Sequence, residues 1–365
     1  MIKYLGSKRT LLPGLAAIFL ALPEVRSVLD VFSGTARVGH MAKGLGLRVI
    51  ANDHNAYSAT LARCYVESDA EAVAVEAARL IAELNGLPGR AGYFTATFCE
   101  RSRYFQPKNG ARVDAIRDQI AAWALPPPLE SVLLVSLMEA ADRVDSTTGV
   151  QMAFLKQWAP RAHKELSLRL PAVLPRAVAG PGLALQLDAA AAVAHPAVTG
   201  GGLDVAYLDP PYNQHKYLGN YHIWETLVRW DAPEVYGVAC KRVDCRSRAS
   251  AYNGRSAAAP ALRALIEAMP ARHLVVSFSD EGFITAEELA SMLATRGEVL
   301  TLEVDFKRYV GAKIGIHNPR GEKVGTVSHL RNRERIFVVT EDAGRLRRAL
   351  AASPAVAPWL ADRAV

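Results

Sequence analysis

The sequence predicts an α/β protein built around a parallel β-sheet, and three observations lead to this fold class. An apolar run at 27–32 ends in a Gly-containing turn that a helical segment follows, and a second apolar run at 47–51 ends near Asp53. A third run, at 203–208, is closed by two prolines. Strand, turn, helix and strand in this order is the typical opening of a parallel sheet in which helices connect successive strands.

The remaining elements follow from hydrophobic period and length. Apolar residues recur at helical spacing after each of the early strands, while the later strand-like runs are short and rich in β-branched residues. We expect helices at about 35–46, 56–83, 222–230, 260–269 and 285–295, and further strands at 273–278, 299–304 and 335–340.

The composition is that of a globular protein with an excess of positive charge. Half of the 365 residues are hydrophobic and 22% are charged, which excludes wholesale disorder. The net charge of +7 points to a polyanionic partner if it is clustered. The four cysteines form no C-x-x-C pair, so we expect no metal, no disulfide framework and a reducing cytoplasm. No run approaches the roughly 20 apolar residues of a membrane span, so no membrane partner is expected.

A long segment of different character, 93–179, separates two strand-rich blocks. It opens with an aromatic and basic run and has helix-like stretches on either side of three prolines at 126–128. Long insertions between strands of one sheet are usually functional appendages at its carboxyl edge. We therefore expect a main domain formed by 1–92 and 180–345, an inserted, mainly helical segment at 93–179, and a peripheral tail at 346–365.

The most specific motif is Asp209-Pro210-Pro211-Tyr212, which directly follows the strand at 203–208. Two successive prolines cannot donate to a sheet ladder and fix an extended turn, so the strand must end there. The acid before the turn and the aromatic after it are then held at the carboxyl edge of the sheet, where such folds place their sites. The alternative is a proline-terminated strand with a chance acid and tyrosine.

A glycine turn follows the first strand, in Asp30-Val31-Phe32-Ser33-Gly34. Glycine lets a ligand approach the backbone, and the next helix offers its N-terminal N–H groups. Asp53 lies about 20 residues beyond Asp30, a position from which a carboxylate accepts hydrogen bonds from ribose hydroxyls. Ordinary strand-to-helix packing for the glycine and a helix N-cap for Asp53 are the alternatives.

Four segments in register resemble the Dam-like class of DNA adenine-N6 methyltransferases. They are Ile2-Lys3-Tyr4-Leu5-Gly6-Ser7-Lys8-Arg9, 30–39, Ala51-Asn52-Asp53 and 209–212. The resemblance implies a doubly wound, Rossmann-like methyltransferase sheet whose target-recognition segment is inserted before the strand that carries D-P-P-Y, where 93–179 lies here. It also implies S-adenosylmethionine as cofactor, no metal, and double-stranded DNA as substrate.

The resemblance assigns roles residue by residue. Tyr4 and Lys8 match the N-terminal aromatic and lysine that meet the cofactor, and the lysine suits its methionine carboxylate. Asp53 matches the acid on the ribose, and Asp188 stands where a polar group can meet the cofactor's adenine. One departure is Ala36, where the family usually has glycine; if φ is positive there, alanine costs about 1 kcal/mol. The cofactor turn is matched by Asp30, Phe32, Ser33 and Gly34, and the catalytic cluster by Asp209, Pro210, Pro211 and Tyr212.

Two basic stretches are interpreted as contacts to DNA phosphates. One spans 307–335, with eight Lys or Arg against two Glu, and the other follows the catalytic strand. Flanking the presumed active-site edge, they are typical of a groove that tracks a phosphate backbone, with solvated charge as the alternative for each. The predicted DNA-binding residues are Lys241, Arg242, Arg246, Arg248, Lys313, Arg320 and Lys323, with Arg101, Arg103 and Lys108 from the inserted segment.

The sequence leaves alternatives open for the substrate. Other planar amines are an RNA adenine, a DNA cytosine N4 and a protein glutamine amide. The acid that opens the motif favours DNA adenine, because cytosine-N4 enzymes tend to carry Ser there and the RNA and glutamine enzymes Asn. A catalytically silent DNA-binding module is the alternative from another class, against which the intact motifs argue. We also expect a monomer, cytoplasmic and associated with the nucleoid through DNA, with a cognate restriction endonuclease as a candidate partner.

Overall fold

The computed structural model describes residues 2–214, 216–280, 282–307, 316–317, 323–325 and 331–360. Two short pairs of antiparallel strands, β5–β6 and β9–β10, lie outside the central sheet. The strands are β1 (Ser27–Asp30), β2 (Arg48–Asn52), β3 (Leu183–Leu185), β4 (Leu203–Leu208), β5 (Val235–Tyr236), β6 (Lys241–Arg242), β7 (Ala271–Ser279), β8 (Glu298–Lys307), β9 (Ile316–His317), β10 (Lys323–Gly325) and β11 (Arg331–Thr340).

The central sheet has seven strands in the order β3-β2-β1-β4-β7-β11-β8. All run parallel except β11, which lies antiparallel between β7 and β8. This confirms the predicted α/β fold with a Rossmann-like sheet. β8 and β11 are longer than predicted because they pair along their whole length, from Glu298 opposite Thr340 to Lys307 opposite Arg331. β3 is absent from the prediction because it is only three residues long; it pairs with β2.

Helices cover both faces of the sheet. Along β1, Val28 packs on one face and Leu29 on the other, and Val205 and Ala206 alternate in the same way along β4. Among the described residues, no helix combines the length and apolarity that a membrane crossing needs. The helices are α1 (Leu12–Ala21), α2 (Arg37–Gly44), α3 (Ala56–Ala62), α4 (Ala70–Gly86), α5 (Tyr93–Thr95), α6 (Pro107–Ala122), α7 (Pro127–Arg143), α8 (Ala189–Val193), α9 (Pro196–Thr199), α10 (Tyr217–Asn220), α11 (His222–Arg229), α12 (Arg255–Ala268), α13 (Ala286–Leu293) and α14 (Ala343–Ala351).

The single helix predicted at 56–83 is wrong, because the chain breaks between α3 and α4. A π-helical turn at Arg63–Glu67 follows α3, and Ser68 and Asp69 are extended. The buried ammonium of Lys43 donates to the Ser68 carbonyl at 2.6 Å and to the Asp69 carboxylate at 2.9 Å. The break therefore places two acceptors around a buried cation that comes from α2.

The inserted segment is helical in its first part, with α5, α6 and α7, whereas the described range 144–179 contains only a short 3-10 turn at Pro160–His163. Its core is continuous with that of the sheet, since Phe94, Ile116 and Val135 belong to the same buried cluster as Val28 and Val205. The segment therefore shares the hydrophobic core of the main domain, and its boundaries and its role in target recognition stay predictions.

The predicted peripheral tail is packed against the body of the protein. Leu346, Leu350 and Val356 are buried in the large core cluster. A Cβ atom on Gly14 would lie 1.8 Å from the Trp359 ring, so this tryptophan sits directly on α1. The prediction of a peripheral tail is thus wrong for 346–360, while 361–365 lie outside the described residues.

The register of the central strands brings the predicted site residues to one edge. Asp30, at the end of β1, pairs with Ala51 in β2 and with Tyr207 in β4. Because parallel strands that pair in this way end together, the segments that follow them meet at the carboxyl edge.

Candidate active site

An open cleft, with an empty volume of about 910 Å³, lies at the carboxyl edge where β1, β2 and β4 end. All the predicted cofactor residues line it, together with Asp209 and Pro211 of the predicted catalytic cluster. The cofactor residues come from four separate parts of the chain: Tyr4, Lys8, Asp30, Phe32, Ser33, Gly34, Asp53 and Asp188.

The glycine turn is fixed by its backbone and by a close neighbour. Gly34 has φ of 51°, and a Cβ there would lie 3.3 Å from Cε1 of Tyr4. The Gly34 N–H donates to Oδ2 of Asp53 at 3.0 Å, and the Ser33 N–H donates to the Asn52 carbonyl at 2.9 Å. The turn is therefore clamped onto the end of β2, and glycine is the residue that fits it.

Ala36 adopts the left-handed conformation that the sequence analysis identified as costly for alanine. Its φ is 57° and its ψ is 22°, and its side chain is buried. Alanine therefore carries about 1 kcal/mol of backbone strain at the start of α2.

Asp53 is a backbone-bonded carboxylate in the cleft and not a helix cap. It accepts hydrogen bonds from the N–H groups of Gly34 and Asn55 and from Nδ2 of Asn55. Burial raises the pKa of Asp53, and these donors oppose the shift. The N-cap of α3 is Asn55, which removes the alternative explanation for Asp53.

Asp30 is buried without a hydrogen-bond partner. Among the described residues, neither of its carboxylate oxygens is paired, and Ser33 Oγ is also buried and unpaired. Burial raises the pKa of Asp30 to about 8, and the charge of Asp209 adds to this shift. The nearby Gly39 N–H lowers the pKa but does not reach hydrogen-bond geometry. Two unsatisfied polar groups at one cleft are a strong indication of a ligand site.

The N-terminal segment forms a wall of the cleft through stacked tyrosines. The ring of Tyr4 stacks on Tyr221 at 4.6 Å between centroids and on Tyr217 at 5.4 Å. The Tyr221 hydroxyl accepts the Leu5 N–H at 2.5 Å, and the Tyr4 and Tyr57 hydroxyls are 3.3 Å apart. Burial raises the pKa of Tyr4 well above its usual value, so its hydroxyl remains protonated.

Asp209 stands where β4 ends, in contact with a buried lysine. Lys8 Nζ lies 3.1 Å from Asp209 Oδ1 and donates to Glu334 at 2.5 Å. Burial raises the pKa of Asp209 to about 6, Lys8 opposes this, and Glu334 adds to it. Two of the three N–H donors of the Lys8 ammonium are thus directed at protein carboxylates. The third is available for the predicted contact with a cofactor carboxylate.

A smaller cavity adjoins the cleft, and Tyr212, the aromatic residue of the D-P-P-Y motif, lines it. Leu5, Tyr212, Asn213, Tyr217 and Asn220 line it, and Tyr217 also lines the cleft. The Phe283 N–H donates to the Tyr212 carbonyl at 2.9 Å, which fixes the turn after the two prolines. Tyr217 and Asn220 are site residues that the prediction from sequence lacks, and the available signal for them is their position a few residues after Tyr212.

The opposite wall of the cleft contains a tyrosine from the second basic stretch. Tyr252 is buried, and its ring meets Phe32 edge-on at 5.0 Å. Tyr252 and its neighbour Asn253 both line the cleft, and neither is among the predicted site residues. Asp188 lines the same cleft and also caps α8, accepting the Ala190 N–H at 2.9 Å.

The three predicted DNA-binding residues of the inserted segment differ in their contacts with other residues. Arg101 is exposed. The Arg103 guanidinium lies 4.8 Å from the centre of the Trp158 ring and donates to the Lys156 carbonyl. Lys108 forms an ion pair with Glu165.

In the second basic stretch, Arg242 requires a correction. Its side chain is only 3% exposed and forms ion pairs with Asp231 at 2.6 Å and Asp244 at 3.0 Å. A guanidinium neutralised in this way is a structural group, not a surface cation that contacts phosphate. Arg248 is partly exposed and pairs with the buried Glu225 at 2.7 Å.

The other predicted cations of this region keep more of their surface. Arg246 is exposed and lies 4.0 Å over the Tyr236 ring, and Lys241 is half-buried. Lys313 and Arg320 lie outside the described residues, as does the side chain of Lys323. In the part of the chain that the structure describes, no group of three His, Cys, Asp or Glu could hold a metal ion.

Comparisons with known proteins agree with one another. Residues 4–292 match the family described as D12 class N6 adenine-specific DNA methyltransferase. The chain is 30% identical to type II methyltransferase M.NlaIII of Neisseria lactamica, over 82% of this chain and 89% of that protein. It is 31% identical to type II methyltransferase M.FokI of Planomicrobium okeanokoites, over 81% of this chain, and spans about half the length of that relative (47%). It is 24% identical to M.CviAII of Paramecium bursaria Chlorella virus 1, over 77% and 83%.

Proposed function

The chain belongs to the D12 class of N6 adenine-specific DNA methyltransferases, and from this premise we propose that the cleft binds S-adenosylmethionine and that the smaller cavity receives the target adenine. One observation carries the proposal. The two cavities share Tyr217 as a common wall, with Asp209 in the larger and Tyr212 in the smaller. The Asp209 carboxylate thus lies in the cavity proposed for the methyl donor, and the Tyr212 ring lies in the cavity proposed for the base.

The polar groups of the cleft fit S-adenosylmethionine. Asp30 offers two unpaired carboxylate oxygens that suit an ammonium group, and Asp53 presents a carboxylate that suits ribose hydroxyls. Because Gly34 has no Cβ, the ring of Tyr4 can pack closely against the turn and form a wall of the cleft beside it. Lys8 and Asp188 are the candidates for the carboxylate and the adenine of the cofactor. The bound cofactor would supply an electrophilic methyl group on its sulfonium.

The residues of the D-P-P-Y motif suit an exocyclic amine. A base inside a duplex cannot reach this edge of the sheet, so the adenine must be flipped out and stacked, and Tyr212 offers the ring for stacking. Its amino nitrogen is a poor nucleophile because the lone pair is delocalised. The Asp209 carboxylate and the Pro210 carbonyl accept hydrogen bonds from the amino group and direct the lone pair toward the cleft. Rate enhancement then comes from position and electrostatics.

The partners follow from the family and from the charge of the surface. Double-stranded DNA is the proposed substrate, held by the exposed cations Arg101 and Arg246 and by the basic residues of 307–335. The relatives are named type II methyltransferases, so a cognate restriction endonuclease is the proposed partner in the cell. We further propose that the enzyme acts as a cytoplasmic monomer on chromosomal DNA.

Expression in a bacterial strain that lacks DNA methylation tests this function. Sequencing of the host DNA should reveal N6-methyladenine at one recurring sequence, and the Asp209→Ala variant, expressed at the same level, should leave the DNA unmodified. N4-methylcytosine, or no modified base despite folded wild-type protein that binds S-adenosylmethionine, would contradict the proposal.

A further inference from the structure

A buried chain of charges lies behind the motif carboxylate. Lys8 Nζ is 2.5 Å from Glu334 Oε1 and 3.1 Å from Asp209 Oδ1. All three side chains are largely buried, with 9% of Lys8, 12% of Glu334 and 21% of Asp209 exposed. One ammonium therefore serves two carboxylates, and only one of these belongs to the D-P-P-Y motif.

Glu334 is held rigidly on the sheet. It lies in β11, paired with Ser279 of β7 on one side and Val304 of β8 on the other. Its Oε1 also accepts the Ser277 hydroxyl from β7 at 2.5 Å. Glu334 is thus a fixed acceptor on the antiparallel strand β11, which β7 separates from β4, whereas Lys8 lies on a 3-10 turn and Asp209 just after the end of β4.

The chemistry of Asp209 makes this arrangement significant. If Asp209 is to accept a hydrogen bond from an adenine amino group, its oxygens must not be saturated by the ammonium of Lys8. A second carboxylate that shares the ammonium weakens the hold of Lys8 on Asp209 without removing the cation.

We propose that Glu334 is a positioning residue for methyl transfer, which acts through Lys8 to keep an oxygen of Asp209 available to the target amine. The proposal rests on the proposed function of Asp209. Without the charge of Glu334, Lys8 moves fully onto Asp209, and the carboxylate becomes a poorer acceptor.

The groups that face Asp209 give the direction of a pH effect. They are Lys8 from the N-terminal turn, Glu334 from β11, Asp30 after β1, Tyr207 in β4 and Tyr217 in α10. Burial and the charge of Glu334 together raise the pKa of Asp209 to about 6, against the lowering effect of Lys8. Removing the negative charge at 334 therefore lowers the pKa of Asp209 and shifts the acid limb of activity to lower pH.

The test compares Glu334→Gln with wild-type enzyme in steady-state methylation of duplex DNA across pH 5 to 9. We expect kcat to fall by about 10- to 100-fold at pH 8 while KM for DNA and for S-adenosylmethionine changes little. The acid limb should move down by about one pH unit. Glu303→Gln is the matched control, because Glu303 lies on β8 in an exposed ion pair with Arg335 and should leave both quantities unchanged.

A double-mutant cycle separates action through Lys8 from a loss of structure. In the Lys8→Met background, Glu334→Gln removes one of the two carboxylates that have lost their cation, so Asp209 is the only charge that remains of the three. The further loss in kcat should be less than about twofold. A full 10-fold loss in that background, or a Glu334→Gln single variant with wild-type kcat and acid limb, would overturn the inference. Wild-type enzyme that does not methylate adenine would refute the proposed function instead.

Discussion

The two ends of strand β4 carry aspartates in opposite states. Asp204, at the amino end, accepts hydrogen bonds from the Arg26 and Ser27 N–H groups and from the Ser27 hydroxyl, and pairs with Arg272 at 3.0 Å. Although burial raises it, the pKa of Asp204 is held below its usual value by these donors. Asp209, just past the carboxyl end, has its pKa raised to about 6.

The contrast extends along the carboxyl edge to Asp30, which is buried and unpaired among the described residues. Every donor that Asp204 needs is supplied by the fold itself. At the other edge the fold leaves Asp30 without a donor among the described residues, and such a group lowers stability unless a ligand supplies the missing partners. The aspartate at the amino edge thus stabilises the sheet, whereas the unpaired carboxylate at the carboxyl edge is available to bind a ligand.

The largest effect should come from removing the carboxylate at the carboxyl end of β4. Asp209→Ala should lower transfer of a labelled methyl group to duplex DNA by at least about 10³-fold, because the acceptor for the amine is lost. DNA binding, measured by fluorescence anisotropy, should remain within a few-fold of wild type. Asp204→Ala is the control at the other end and should transfer methyl groups normally per folded molecule. Equal losses of methyl transfer in Asp209→Ala and Asp204→Ala would contradict the contrast between the two ends of β4.

The next effect concerns stability at the amino end. Asp204→Ala should lower the free energy of unfolding by about 2 to 4 kcal/mol at pH 7, since it leaves several donors unpaired. The contribution of Asp204 should also disappear as the pH falls below about 4, because a carboxylate with a lowered pKa stabilises only when ionised. Urea denaturation at pH 7 and pH 3 measures both. A variant as stable as wild type at pH 7 would contradict the assignment.

Asp30→Asn should raise the free energy of unfolding, whereas Asp204→Ala should lower it. The raised pKa of Asp30 means that the fold disfavours its ionised form, so the ligand-free wild type loses stability as pH rises from about 4 through about 8. The asparagine variant avoids this loss and should be more stable by about 1 to 2 kcal/mol at pH 9, with little difference at pH 5. Thermal unfolding at the two pH values provides the test, and a destabilised variant at pH 9 would count against it.

The smallest effect is expected at Ala36. Glycine there relieves about 1 kcal/mol of left-handed strain but removes a buried methyl group worth about as much. Ala36→Gly should therefore change the free energy of unfolding by less than about 0.5 kcal/mol in urea. A change beyond about 1.5 kcal/mol in either direction would show that one of the two terms has been misjudged.

The carboxyl edge could be predicted from sequence because its signals are local. The glycine turn, Asp53 and the two prolines each end or follow a strand within a few residues, and parallel strands bring such ends together. The position of Tyr217 a few residues after Tyr212 was a local signal, whereas nothing in the sequence near Tyr252 indicates which cavity its ring faces.

Contacts between distant residues set the limit of such prediction. Lys8 and Glu334 are 326 positions apart, and nothing near either residue indicates the pair. Arg242 appears in a basic stretch, yet its charge is taken up by Asp231 and Asp244. The break after α3 depends on Lys43, which comes from another helix.

The binding of S-adenosylmethionine tests the central claim most directly. Isothermal titration calorimetry of wild type, Asp30→Asn and Asp204→Asn at pH 8 separates a carboxylate kept for a ligand from one used by the fold. We predict one site per chain, a Kd at least about 10-fold higher for Asp30→Asn, and an unchanged Kd for Asp204→Asn. Equal affinity in wild type and Asp30→Asn would contradict the account.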